Sequence, residues 1–159
     1  MVKTINNFFV EKELQQITMY QKDEYAKEVF IDMPTNRNYI NKVIEKASEF
    51  YETEDIIITE QWSHNPHWKP LPTAHYDKDE KLFKATGELS FPVFSAIIYL
   101  KVQNLIGSKL LLEYGNCISP ETGLLVLLPP GMLHAVSPWE SGVRLTVNLN
   151  FWTAPLYSS

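Results

Sequence analysis

The stretch Val143-Arg144-Leu145-Thr146-Val147-Asn148-Leu149-Asn150-Phe151-Trp152 alternates apolar and polar residues without a break. In an extended chain successive side chains point to opposite faces. Val143, Leu145, Val147, Leu149 and Phe151 therefore share one side, and Arg144, Thr146, Asn148 and Asn150 share the other. A strand of this kind has two readings. Its polar side faces water, or its apolar side packs under other elements while the polar side looks into a barrel. The polar residues elsewhere in the chain decide between them.

Working backwards, Pro129-Pro130-Gly131 marks a turn, and Leu133-His134-Ala135-Val136 reads as a short strand after it. A hairpin around Trp139 to Gly142 would pair residue 134 with 146 and 136 with 144, placing His134, Arg144 and Thr146 on one face. A slip of one residue would separate them. Earlier still, strands are expected at about 56–63, 73–77, 92–102, 108–114 and 124–128, followed by 133–137 and 143–152, with Ser141-Gly142 as a turn. Many short strands joined by loops point to a barrel or a double-sheet jelly roll.

Before residue 55 the pattern is helical. Residues 11–29 carry Leu14, Ile17 and Tyr20 on one face, and residues 36–53 carry Ile40, Val43, Ile44, Ala47 and Phe50 at helical spacing. Thr4 to Val10 is short and apolar enough for a strand. The expected architecture is α+β, with N-terminal helices packed on one sheet of a β-rich core. With no linker, repeat or low-complexity tract, 159 residues suit one domain, a helical front end of about 1–54 and a core of about 55–152.

Thr73-Ala74-His75-Tyr76-Asp77 brings a histidine and an aspartate to the same side of an extended chain, where they can grip one ion together. Alone, His-x-Asp is a common pair, and a lone histidine in an apolar strand is usually a satisfied core residue. The ordered set carries more weight: His75-x-Asp77, the strand-borne His134, Arg144 ten residues on and Thr146 two beyond it. Two histidines and one carboxylate leave about three of six octahedral positions open, the arrangement diagnostic of non-haem iron(II) oxygen chemistry. Arginine offers a planar fork for a carboxylate, and Thr146 can add a hydroxyl to the same group. An inward Arg144 demands an anion, because a buried unpaired charge is costly.

On these motifs the chain resembles the Fe(II)/2-oxoglutarate-dependent dioxygenases, particularly the small prolyl-hydroxylase-like branch. The resemblance covers about residues 56–152, with a looser likeness at Ile5-Asn6-Asn7-Phe8-Phe9 and the helix after it. It implies a double-stranded β-helix core, with His75, Asp77 and His134 as iron ligands. It also implies that Arg144 and Thr146 hold the far carboxylate of 2-oxoglutarate. Ser95-Ala96-Ile97-Ile98-Tyr99-Leu100 is similar to a strand whose tyrosine, here Tyr99, bonds the same carboxylate. Gly123 to Pro129 looks like the family's approach to the distal histidine, with Leu128 where phenylalanine is usual. A paired glycine of the family appears here as Gly107-Ser108. The implied reaction couples decarboxylation of 2-oxoglutarate to hydroxylation of a C–H bond, with O2 consumed, succinate and CO2 released, and ascorbate as an optional reductant. The substrate is peptidyl, prolyl-like, or a small molecule. Competing readings are a cupin-type metalloenzyme that does not use 2-oxoglutarate and a non-catalytic jelly-roll binding module.

Bulk properties exclude other classes. A formal charge of -5 disfavours nucleic acid as a partner. The lone Cys117 cannot form an internal disulfide, which points to a reducing compartment, and no apolar run is long enough to span a bilayer. The expected location is cytoplasmic. No phosphate loop, paired-cysteine zinc motif or nucleophile elbow is present. His64-Asn65-Pro66-His67 reads as a loop rather than a second metal site. Trp62 is expected in the core or lining the pocket, and Trp139 at a turn.

Overall fold

Alternation along the chain becomes separation of faces in the computed structural model, which describes residues 1–21, 26–31, 34–63 and 73–158. The elements run β1 (Lys3–Ile5), α1 (Glu11–Met19), β2 (Ala26–Phe30), α2 (Asn38–Ala47), β3 (Ile58–Ser63), α3 (Glu80–Thr86), β4 (Phe94–Gly107), β5 (Leu110–Leu112), β6 (Cys117–Ile118), β7 (Leu125–Leu128), β8 (His134–Val136) and β9 (Trp139–Trp152). Six strands form one antiparallel sheet in the order β1-β7-β4-β9-β3-β2, and a smaller sheet has the order β6-β5-β8. This is the jelly-roll architecture expected from the strand pattern.

Each face of the larger sheet has its own apolar cluster. Leu145, Val147, Leu149 and Phe151 of β9 join Phe94, Ala96 and Ile98 of β4 and Leu14, Ile17, Ile40 and Val43 of the two helices. Burial of these side chains is the main reason the helices hold, since side chains of this size contribute about 1.5–3 kcal/mol each. Lys42 of α2 fastens the pair by binding both oxygens of Glu13 at 3.1 Å and the Phe8 carbonyl at 2.8 Å. On the opposite face Ile97, Tyr99, Val126 and Leu128 meet Leu110, with Leu112 and Ile118 packed against them, so the smaller sheet covers this side. The space between the sheets is thus lined by one set of faces, and the polar side of β9 looks into it. At Leu100 the ladder between β4 and β9 shifts by one residue: Tyr99 pairs with Thr146, then Lys101 with Leu145. This bulge lies beside the inward Tyr99.

Several expectations are corrected. The hairpin between the His134 strand and the last strand does not form. β8 pairs with β5, placing Leu112 opposite His134, while Thr146 lies opposite Tyr99 and Arg144 opposite Val102. The two strands belong to different sheets, because β9 is long enough to cross the larger sheet between β4 and β3. Ser141-Gly142 is no turn; it lies inside β9, where the pairing shifts and Gly142 takes φ 93. The helix expected over 11–29 ends at Met19, and residues 26–30 instead form an edge strand against β3. Asn7, with φ 51, stops the first strand at Ile5. Around residues 73–77 there is an isolated bridge at His75 rather than a full strand.

Candidate active site

The orientation of His134 follows from register. Directly opposed residues of an antiparallel pair project to the same face. Leu112 packs into the inner cluster, and its partner is His134, so His134 points between the sheets, where it is buried. His75 is joined to it by two reciprocal backbone hydrogen bonds, His75 N–H to His134 O at 2.9 Å and His134 N–H to His75 O at 3.0 Å. A single bridge thus brings together two residues far apart in the chain, with their rings 4.5 Å between centroids.

Both imidazoles are held in the same way. His75 Nδ1 lies 3.1 Å from the Thr73 carbonyl and His134 Nδ1 lies 2.8 Å from the Met132 carbonyl. A carbonyl oxygen only accepts, so each Nδ1 carries a hydrogen, which leaves Nε2 as the nitrogen able to ligate a metal. Asp77 Oδ1 lies 3.9 Å from His75 Nε2 and 3.6 Å from His134 Nε2, beyond hydrogen-bond range. One ligating atom from each residue falls within 4.8 Å of the others, the only such group of three among the described residues. Electron-rich atoms gathered without a shared proton fit a divalent cation, and the Nδ1–carbonyl bonds are the outer support that metal-bound histidines usually have. The His75 side chain is 49% exposed, so this side of the site opens towards solvent.

A second group lies on the inner face of β9 and β4. Arg144 is 5% exposed and Thr146 and Tyr99 are fully buried. The guanidinium carbon sits 5.7 Å from the centre of the Tyr99 ring, and Nη1 makes a long 3.4 Å contact with Thr146 Oγ1. No described carboxylate pairs with Arg144, and its Nε, the Tyr99 hydroxyl and Asn148 Oδ1 are buried without hydrogen-bond partners. Burial lowers the Arg144 pKa, opposed by Tyr99; burial likewise raises that of Tyr99, against the pull of the guanidinium. Arginine nevertheless stays charged at any physiological pH. The cradle therefore combines a cation with two hydroxyls, of which that of Tyr99 has no hydrogen-bond partner among the described residues, and these residues fit a carboxylate.

Every residue expected at the site is described. Asn148 was visible in the sequence only as one of several polar alternates; being unsatisfied is a property of its surroundings. Trp62 stands opposite Asn148, on the inner face of β3. Trp139 begins β9 and donates from its indole to the Gly142 carbonyl at 3.1 Å. Cys117 is exposed and free. His64 and His67 lie outside the described residues.

No family model matches the sequence, and no curated protein matches it. Solved structures do. A viral collagen prolyl hydroxylase from Paramecium Bursaria Chlorella virus-1, in complex with 2OG, is similar over 97% of this chain and 96% of its own, at TM-score 0.65 and 18% identity. A Pseudomonas putida prolyl-4-hydroxylase is similar over 97% and 93%, at TM-score 0.58 and 14% identity. A 2OG-Fe(II) oxygenase family oxidoreductase from Burkholderia pseudomallei is similar over 96% and 85%, at TM-score 0.64 and 12% identity. This chain shares its fold with these solved structures.

Proposed function

We propose that this protein is an Fe(II)- and 2-oxoglutarate-dependent oxygenase that hydroxylates a C–H bond of a peptidyl, prolyl-like, or small-molecule substrate. The observation that carries the reading is a pairing across one interior. Three possible ligating atoms converge at His75, Asp77 and His134, and a buried guanidinium that no described carboxylate pairs with faces the same inter-sheet space.

The chain's own residues bind and orient. His75, Asp77 and His134 would hold the metal. Arg144, with Thr146 and Tyr99, would fix the far carboxylate of 2-oxoglutarate, and the apolar inner cluster of Ile97, Val126 and Leu128 keeps water from the strands around it. Iron(II) with 2-oxoglutarate supplies O2 activation, converting the co-substrate to succinate and CO2 and a substrate C–H to C–OH. The free thiol of Cys117 fits a reducing compartment, the cytoplasm in our reading. Among the described residues no helix is long and apolar enough to cross a membrane.

The test is an anaerobic titration of the metal-free protein with Fe(II) and then 2-oxoglutarate, followed by visible absorption. A weak metal-to-ligand charge-transfer band, absent in His134→Ala, is the expected result. Iron binding without the band would favour a cupin-type metalloenzyme. No iron binding would leave a non-catalytic jelly roll. Succinate release on proline-containing peptides, compared with release on free amino acids, then separates the substrate classes.

A further inference from the structure

The connection into β8 is held by a side chain outside the metal triad. After the Pro129-Pro130-Gly131 turn, the chain reaches Met132-Leu133-His134 with few ladder bonds available. β5 ends at Leu112, and the next residues, Glu113–Gly115, form a tight turn in which Tyr114 takes φ 67 and Gly115 φ 85. A regular antiparallel ladder would add one more rung, between Glu113 and Leu133. Half of that rung exists: Glu113 N–H donates to the Leu133 carbonyl at 3.2 Å. The other half would use the Glu113 carbonyl as acceptor. Instead Leu133 N–H donates to the Glu113 side-chain carboxylate, Oε1, at 2.6 Å.

The carboxylate thus replaces the missing carbonyl. With it, the backbone around the histidine is tied down at each step. Leu133 N–H and O are held by Glu113, His134 N–H and O by His75, and the Met132 carbonyl by His134 Nδ1. The Glu113 bond is the one in this series that depends on a side chain other than the histidine itself, and it is charge-assisted and short.

We propose that Glu113 is a positioning residue for His134: its carboxylate completes the last rung between β5 and β8 and thereby sets the direction of the His134 ring towards Asp77 and His75. The inference rests on the reading of the triad as a metal site. Glu113 touches neither the triad nor the inner cradle by any hydrogen bond, so it acts through Leu133 alone.

The experiment titrates the metal-free full chain with Co(II), read by its d–d absorption and by the rise in melting temperature that the metal causes. Glu113→Ala is expected to bind Co(II) about 10–100-fold more weakly, with an altered d–d spectrum and a smaller metal-induced shift. Glu113→Gln, which keeps an acceptor oxygen at the same reach, is expected to recover most of the affinity. Glu113→Asp, one methylene short, is expected to fall between them, and it serves as the informative variant if the alanine protein does not fold. Wild-type affinity with an unchanged spectrum in Glu113→Ala, or in Glu113→Asp where that variant stands in, would overturn the proposal. A glutamine variant no better than alanine would overturn it as well, because the hydrogen bond would then not be what matters. Failure of the unaltered protein to bind Co(II) would overturn both this proposal and the metal-site reading. Co(II) binding that is normal in the unaltered protein and in Glu113→Ala would overturn this proposal alone.

Discussion

Arg144 is expected to oppose folding, since a buried charge with no described carboxylate beside it costs free energy. The residue is 5% exposed, and its Nε finds no hydrogen-bond partner among the described residues. Replacing it by methionine, of similar length and without charge, should stabilise the metal-free protein by about 1–3 kcal/mol, read as a higher denaturant midpoint at unchanged slope. The same variant should lose about 2–5 kcal/mol of 2-oxoglutarate binding, measured by the anaerobic titration. An unaltered midpoint would mean that the charge has a counter-ion we do not see; unaltered binding would mean that Arg144 does not hold the co-substrate. His75→Ala and His134→Ala should each abolish high-affinity metal binding while leaving the fold intact, checked by Co(II) absorption beside circular dichroism. The chemistry of these residues was legible because strand alternation and fixed spacing express it locally. His75-x-Asp77 and Arg144-x-Thr146 each sit on one face of one segment. The meeting of His75 with His134 was not legible in that way, since it depends on a bridge between two segments far apart in the chain. Glu113 was not legible at all: a glutamate after an apolar strand looks like any solvated charge until the missing carbonyl opposite Leu133 is seen.

At the level of elements, the strand pairs owe their geometry to a few special positions. Gly142 lies inside β9 with φ 93, and a methyl group there would sit 2.2 Å from the Asn104 carbonyl oxygen and 2.5 Å from the Leu105 Cα. Both neighbours are backbone and cannot swing aside. Gly142→Ala should therefore cost at least about 2–3 kcal/mol, seen in chemical denaturation. Tyr114 presents the opposite case. It is 95% exposed and holds φ 67, a conformation that suits asparagine or glycine far better than tyrosine. Tyr114→Asn should raise stability by about 0.5–1 kcal/mol, measured by thermal melting. The same contrast explains which elements could be read beforehand. Core strands such as β4 and β7 announce themselves by near-continuous apolar runs, because both of their faces are covered. The helix α3 does not, since none of its residues is buried; its only signals are Asp79, which caps it through Leu82 N–H at 3.1 Å, and Gly87 at its end. The edge strand β2 was read as helix because Ala26-Lys27-Glu28-Val29-Phe30 is weak in either pattern, and pairing with β3 decided it.

For the molecule as a whole, metal and co-substrate bound as proposed would join the two sheets across their shared interior. A ligand that binds only the folded form at one hundred times its dissociation constant adds about 2.7 kcal/mol. Fe(II) with 2-oxoglutarate should accordingly raise the melting temperature by roughly 5–10 °C, whereas 2-oxoglutarate without metal should give much less; equal shifts would show that the acid binds independently of the triad. The layering of helices on one face and a small sheet on the other could be anticipated from the change of period near residue 55. The distribution of strands between sheets could not, since hydrophobic pattern reports burial but not neighbours. One consequence of the strand order concerns synthesis. β9 is the last strand in the sequence, yet it lies between β4 and β3 in the larger sheet. A chain emerging from the ribosome must therefore hold the facing edges of β3 and β4 apart and unsatisfied until β9 has been made. Such open edges invite pairing with other chains. Nascent-chain recovery should then depend on chaperone supply up to the point at which β9 clears the exit tunnel, and become independent of it once that strand slots home.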